Sequence, residues 1–481
     1  IDFGRHAFGW EVLGVDPSPL AGAGAEALGL PVSRTYFSAD LDLGPEPFDL
    51  VLCSEILEHL AEPHSLLAAI RDRLSSEGLL ILSTPNLAIV REETEEGALG
   101  RALSPGFHLV LYDRDALSLA LAKAGFSDVR IEESPETLCA FAACSPAALA
   151  RLRPADPDAV RPLLRDYFAA RTADAPPASA LACGFAYRHF KECVNAGRYE
   201  EATASRAFLA RVYHERFGLD LERPAEVMAR LRGRTCPFNL TGALFFSGIL
   251  ELNGLDRPDR AADCFAAAVE AGSALRIVQC PFGLHDGETE GLLRQSRKHL
   301  PMALAATDPD RAVREVEALE PMARDGGEVS PELLAETRAQ TFVRLVNAGA
   351  YDAAERMAPQ VARQIDLRTL EEMGEESPGA LDPLFCLGML ALQQARPGEA
   401  ADLFGRVYRS AGRRAAPERA DLLWSARYHE ALSLRRAGNE EPAREALAEV
   451  AAAGGRAGLP PVPAPLADAA RALLALEIAE T

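Results

Sequence analysis

Long apolar runs, paired cysteines and basic charge are all scarce in this chain. No apolar run is long enough to cross a bilayer, and no leader-like N-terminus is visible, so no membrane is expected as a partner. The nine cysteines form an odd, scattered set without a CxxC pair. That speaks against a disulfide framework or a zinc ribbon and predicts reduced thiols in a cytoplasmic protein. With 50 basic against 71 acidic residues the net charge is −21, which disfavours a nucleic-acid partner. A glycine-rich turn between a first strand and a first helix is also absent. The chain starts at Ile1, and Ile1 to Phe8 read as the end of a helix stopped by Gly9. At 481 residues more than one domain is expected.

Strand and helix alternate over residues 1–147. Strands are expected at Glu11–Val15, Val32–Phe37, Leu50–Cys53, Leu79–Leu82, Asp128–Glu132 and Thr137–Ala143. Helices are expected at Ser18–Leu28, Pro63–Leu74 and Asp115–Ala124, the last stopped by Gly125. The densest stretch is Phe48 to Asn86. Two apolar runs there flank a helix, and each ends in polar residues: Ser54-Glu55-Ile56-Leu57-Glu58-His59 after the first, Ser83-Thr84-Pro85-Asn86 after the second. In a βαβ sheet, chemistry gathers where such strands end.

Together with an apolar strand ending at Asp16-Pro17-Ser18, these residues resemble the class I S-adenosylmethionine (SAM) dependent methyltransferases. The resemblance implies a Rossmann-like α/β domain over residues 1–147, a parallel sheet closed by an antiparallel hairpin. It also implies a first strand and glycine-rich turn that this sequence does not contain. Asp16 would accept hydrogen bonds from the ribose hydroxyls of SAM. The competing reading is a helix cap, with Asp16 or Ser18 satisfying free amides. Asp40 and Ser54 are the other cofactor candidates, with a solvated loop acid as the alternative for Asp40.

Glu55, Glu58 and His59 form an ExxEH cluster that would share one face if the segment were helical. His59, with Glu55, is the catalytic candidate, because an imidazole can take a proton from a hydroxyl acceptor at neutral pH. The ExxEH motif is also similar to that of ubiquinone-biosynthesis O-methyltransferases and of enzymes that methylate small-RNA 3′ ends. That similarity implies a divalent metal held by Glu55, Glu58, His59 and a downstream His108. Such a donor set suits Mg²⁺ or Mn²⁺ less purely than oxygen alone, and would suit Zn²⁺ or Fe²⁺. In the competing reading the glutamates cap or pair and His59 packs near the cofactor. Asn86 and His108 are candidates for contacting an acceptor, a small molecule or a glycan. Asn86 could equally serve only turn geometry. The polar segment Ala88 to Ser104 reads as an acceptor loop without a core face.

Residues 148–180, rich in Pro, Ala and Asp, read as a linker with a short helix at Val160–Ala170. Residues 181–481 read as all-helical with an internal repeat. Val194–Ala202 matches Val346–Ala354, Leu244–Leu252 matches Leu384–Leu392, and Ala261–Phe265 matches Ala400–Phe404; Tyr428 to Ala453 carries a further unit. The pattern is similar to tetratricopeptide (TPR) repeats and implies an α-solenoid that binds a protein partner or the substrate. His6, His64, His189, His214, His285, His299 and His429 stand isolated, and the basic run Arg294–His299 reads as a solvated face. Two functions follow: a SAM-dependent O-methyltransferase, or a non-catalytic scaffold carrying a degenerate methyltransferase domain.

Overall fold

The computed structural model describes residues 1–94, 96–154, 156–231, 237–279, 286–323, 328–365, 380–412, 417–452 and 459–480. Its described residues divide into one unit of residues 1–196 with Gln279 and a second unit made of the rest from Gly197 onward.

The first unit is α/β. A lobe at its start consists of α1 (Asp2–Phe8), β1 (Gly14–Val15), α2 (Pro19–Leu28) and β2 (Val32–Ser33). Gly9 ends α1 in the left-handed conformation, φ 68°, where a glycine carries no Cβ penalty. Ser18 caps α2 by accepting from the Ala21 amide. Both strands are shorter than the sequence suggests. Only Gly14↔Val32 and Val15↔Ser33 pair, and extended chain without a ladder partner is not a strand. Trp10 instead stacks on Phe8 and covers Gly4.

The main sheet has the order β3-β4-β6-β5, built from β3 (Phe48–Ser54), β4 (Leu74–Pro85), β5 (Asp128–Glu133) and β6 (Thr137–Ala143). β3 and β4 are parallel; β6 runs antiparallel to both β4 and β5. A parallel pair closed by an antiparallel hairpin is thus present. α3 (Pro63–Arg73) contributes Leu67 and Ile70 to the core, and α5 (Arg114–Lys123) contributes Leu117 and Leu121; they pack with Leu80, Leu82 and Leu138 of the sheet. Burial of a leucine-sized side chain stabilises by about 1.5–3 kcal/mol.

The acceptor-loop segment does have a core face. α4 (Glu96–Leu103) buries Ala98 and Ala102 against Ile89. Within residues 148–180 the short helix expected at Val160–Ala170 is present and longer. α6 (Pro146–Ala150) covers the sheet around Ala143, and α7 (Pro157–Asp174) is an eighteen-residue helix capped by Asp156 that packs on α1 and on α8 (Ala180–Asn195). Tyr167 and Phe168 of α7 and Phe185 of α8 form the aromatic part of that contact.

The second unit is helical throughout its described residues. It contains α9 (Tyr199–Phe217), α10 (Pro224–Leu231), α11 (Leu240–Ile249), α12 (Pro258–Gln279), α13 (Gly287–Leu304), α14 (Pro309–Leu319), α15 (Pro331–Asn347) and α16 (Tyr351–Gln364). Then follow α17 (Leu381–Gln393), α18 (Pro397–Gly412), α19 (Ala420–Arg436), α20 (Glu440–Ala451) and α21 (Ala464–Glu480). The matched sequences occupy matched places. Gly248 on α11 lies under the Phe265 ring, where a Cβ would come within 2.6 Å, and Gly388 on α17 lies under Phe404, where it would come within 2.8 Å. His299 on α13 sits against Phe245 and Phe265; His429 on α19 sits against Phe385 and Phe404. Each imidazole also bonds, through Nδ1, the carbonyl four residues earlier, at Gln295 and Ser425. Burial pushes both imidazoles below the ordinary histidine range. These two histidines are therefore not isolated but occupy the same place twice. Of the unit expected at Tyr428–Ala453, Ala453 lies outside the described residues.

Candidate active site

β3 and β4 run in parallel, and the last pair of their ladder is Ser54 with Ser83. The chain leaves β3 through Glu55, whose φ of 54° is left-handed and strained for a side chain of that size. A short 3₁₀ turn, Leu57–His59, follows. The i, i+3, i+4 helical face expected for Glu55, Glu58 and His59 therefore does not form. Instead the two glutamates part. Glu55 turns to Ser83, whose hydroxyl donates to Oε1 at 2.8 Å, while the Glu55 amide donates to the Ser83 carbonyl at 3.0 Å. Ser54 Oγ lies 2.7 Å from Ser83 Oγ.

Leu57 is fully buried in the core, and its neighbour Glu58 goes in with it. One Glu58 carboxylate oxygen accepts from Thr84 Oγ1 at 2.9 Å. The other, Oε1, is buried without a hydrogen-bond donor and faces His59 Nε2 at 3.7 Å. Burial, and then the charge of Glu58, push the Cys53 thiol up to about 12; the same two causes raise Tyr112.

The segment around His108 is stitched to this turn. The amides of Leu109 and Val110 both donate to the Glu58 carbonyl, at 2.7 and 3.2 Å. His59 Nδ1 is 3.1 Å from the Phe107 carbonyl, and His108 Nδ1 is 2.7 Å from the Ala102 carbonyl. A carbonyl can only accept, so in each of these bonds the ring Nδ1–H is the donor. The two rings are 4.8 Å apart. Glu58, His59 and His108 each offer a ligand atom, all within 4.8 Å of one another; Glu55 is outside this group. A buried Glu58 oxygen without a hydrogen-bond donor and ring nitrogens of His59 and His108 are thus grouped. Such a donor set could hold a cation. One oxygen and two nitrogens suit Zn²⁺ or Fe²⁺ better than Mg²⁺.

Asn86 is committed elsewhere. It is buried, its amide nitrogen donates to Glu133 Oε1 and the Ser134 carbonyl, and its oxygen accepts from the Ala88 amide. The structure thus gives its amide the turn-fixing role and leaves none of these three bonds for an acceptor. Asp16 is exposed at the end of β1. Its Oδ1 accepts from the Ser18 amide at 2.7 Å, and that bond, with a smaller contribution from the Ser18 side chain, holds the carboxyl below the usual range. An ionised acceptor at a strand end fits a ribose diol. Asp40 lies exposed in a turn, and no described contact joins Asp16 or Asp40 to the Glu58 cluster. Sequence reasoning missed Thr84 and Ser83, whose hydroxyls hold the two glutamates apart; their place at the end of a buried run was the available signal.

Residues 3–131 match the family model of a methyltransferase domain. The parallel pair β3–β4, with polar residues at its strand ends, lies within that matched methyltransferase span. The chain is similar to curated proteins named ubiquinone biosynthesis O-methyltransferase. It is 39% identical to that of Cereibacter sphaeroides over 83 residues, covering 16% of this chain and 34% of the relative. For Ruegeria pomeroyi the figures are 41% over 83 residues, with the same shares. For Glaesserella parasuis they are 44% over 41 residues, 8% of this chain and 17% of the relative. The chain thus spans about a third of the length of the first two relatives.

Proposed function

We propose that the protein is a SAM-dependent O-methyltransferase acting on a small hydroxyl compound with an apolar body. The observation that carries this is the convergence of Glu58 Oε1, His59 and His108 beyond the ends of β3 and β4. SAM supplies a methyl group already activated as a sulfonium, so the protein's task is alignment and proton removal. His59 is the base: the Phe107 carbonyl fixes its tautomer, and its free Nε2 can receive the acceptor's proton. The Glu58 carboxylate, 3.7 Å away, stabilises the imidazolium that results. In a metal-bound form His59 would be a ligand and not the base: His108, Glu58 and His59 would hold a divalent cation that supplies Lewis acidity to a hydroxyl in its place. Asp16 would hold the ribose, with Asp40 and Ser54 as further cofactor contacts; Glu55 is held for a supporting role by Ser83.

The acceptor class is supported by what surrounds the cluster. Phe107 and Leu109, on either side of His108, are 72% and 58% exposed. Ile56, Leu87, Val90 and Leu103, from the segments framing the site, are exposed too. Unburied apolar side chains at a polar cluster suit an aromatic or lipid-like body better than a glycan. The names of the relatives point to a hydroxyl oxygen as the methyl acceptor. The helical unit, with its repeated packing, is read as a TPR-like array that binds a protein partner or presents the acceptor.

The test is calorimetric titration of SAM into the protein as its gene encodes it, followed by transfer of labelled methyl to a panel of apolar phenols and glycans. Binding that is lost in Asp16→Ala, with transfer to phenols lost in His59→Ala, supports the reading. No SAM binding to the wild type sinks it.

A further inference from the structure

The lobe that carries Asp16 is secured in an unexpected way. It holds itself together: Arg5 on α1 donates to the carbonyls of Leu28 and Gly29, at 2.8 and 2.7 Å, closing the end of α2. In a continuous sheet, neighbouring strands fix one another's position. Here β1 and β2 pair only with each other, and no ladder among the described residues joins them to the main sheet. α1 of the lobe packs on α7, which lies beyond the matched methyltransferase span.

The grip is a buried charge. The Asp2 carboxylate, in the first turn of α1, accepts at Oδ2 from Tyr167 OH at 2.7 Å and from Arg171 Nε at 2.9 Å. Asp2 is 7% exposed. The Tyr167 ring meets Phe3 and His6 edge-on at 5.1 and 5.6 Å, and the Arg171 guanidinium lies over Phe185 of α8 at 5.4 Å. Two directional, charge-assisted hydrogen bonds in a dry setting fix an orientation far better than apolar contact does.

We infer that Tyr167 and Arg171 are positioning residues for the cofactor: acting through Asp2, they hold the β1–α2 lobe so that Asp16 is presented to the ribose. This rests on the methyltransferase reading above. If the lobe occupies its competent position only part of the time, the apparent dissociation constant rises by the reciprocal of that fraction. α7 thereby becomes part of the cofactor site without touching the cofactor.

The experiment uses the whole protein, wild type beside Tyr167→Phe and Arg171→Gln. Two quantities are read: the affinity for S-adenosylhomocysteine and for its 2′-deoxyribose analogue, and amide exchange without ligand. Loss of one charge-assisted bond is expected to weaken S-adenosylhomocysteine about tenfold in Arg171→Gln and roughly threefold in Tyr167→Phe. The deoxyribose analogue should weaken less, because the contact being loosened is the one it lacks. Amides of residues 14–33 should exchange faster while those of β3 to β6 hold. Tyr167→Phe removes one oxygen and keeps the ring, so it reports even if Arg171→Gln folds poorly. Unchanged affinity with unchanged exchange overturns the inference, and so does faster exchange spread evenly over β3 to β6. A wild type that binds no S-adenosylhomocysteine sinks the methyltransferase reading instead, and the exchange pattern alone then decides whether α7 anchors the lobe.

Discussion

Among the described residues, Glu58 in the α/β unit and Glu251 in the helical unit are the glutamates at 1% exposure or less, and they differ in the charge of their partners. Glu251, in the wide π-type turn Leu250–Gly254 of the helical unit, is met by Arg206 Nη1 at 2.5 Å, with Arg260 at 3.6 Å and Arg257 at 3.8 Å. Glu58, in the α/β unit, has Thr84 on one oxygen and the His59 ring near the other, with His108 in the same cluster. In both glutamates one oxygen is buried without a hydrogen-bond donor, so the difference lies in the charge of the neighbours. A buried carboxylate costs several kcal/mol unless something compensates it. In the helical unit the compensation is built into the chain, as arginine. In the α/β unit the described partners of the carboxylate are the Thr84 hydroxyl and the His59 ring, with no arginine or lysine among them.

The comparison can be broken from the structural side first, where the largest effect is expected. Glu251→Ala should cost about 3–5 kcal/mol, read as a lowered urea midpoint, because buried Arg206 keeps only its 3.5 Å ion pair with Glu222. Replacing both, as Arg206→Met with Glu251→Leu, should return most of that loss. The matching position in the second copy is already apolar, Ala391. A loss in the double variant as large as in the single one would show that the pair does more than neutralise itself.

The functional side is tested by supplying what Glu58 lacks. Zn²⁺ at a hundredfold its dissociation constant should stabilise the folded protein by about 2.7 kcal/mol and raise its melting temperature. Glu58→Gln and His108→Ala should abolish the rise; Glu55→Gln should keep it, since Glu55 lies outside the cluster. Without metal, Glu58→Gln should change stability by less than about 1 kcal/mol, since it removes a poorly compensated charge. A loss as large as that of Glu251→Ala would erase the distinction between the two acids.

Acid is expected to have the smallest effect, and it sharpens the contrast from the helical side. His299 and His429 are held below the ordinary value of 6.5 by burial. Above 6.5 both folded and unfolded states are neutral there and stability is full. As the pH falls below 6.5, the unfolded chain takes up protons first, so stability declines down to the folded-state values. The urea midpoint should therefore fall between pH 7.5 and 5.5, and fall less in His299→Gln with His429→Gln. An equal fall in that double variant would remove these histidines as the cause.

Much of this was legible in the sequence where the signal is local. Gly9 stops α1, Ser18 caps α2, Gly125 follows α5, and Thr137–Ala143 has the bounds expected of it. What was not legible depends on partners distant in the chain. Strands were expected at Glu11–Val15 and Val32–Phe37, but only two ladder pairs exist to hold them. Glu55 and Glu58 share a helical spacing, yet the strand end puts Glu55 in a left-handed conformation and sends the two side chains to different hydroxyls. Asn86 has the chemistry of a ligand contact and is consumed by Glu133, Ser134 and Ala88. The matched histidines were overlooked because the repeat was traced through glycine, tyrosine and phenylalanine, although Arg297-Lys298-His299 and Arg427-Tyr428-His429 lie at matching places.

The glycine-under-phenylalanine contact, made once by Gly248 and Phe265 and again by Gly388 and Phe404, has a genealogical consequence. Two stretches of one gene that fold into interchangeable joints can recombine with each other. A crossover at these joints would delete or add one whole block of helices and leave a seam whose glycine still fits beneath its ring. The number of blocks is then free to drift between lineages while the joint itself stays fixed. Sister proteins that differ in length by a whole block, with both residues kept on either side of the gap, are the record such a history would leave.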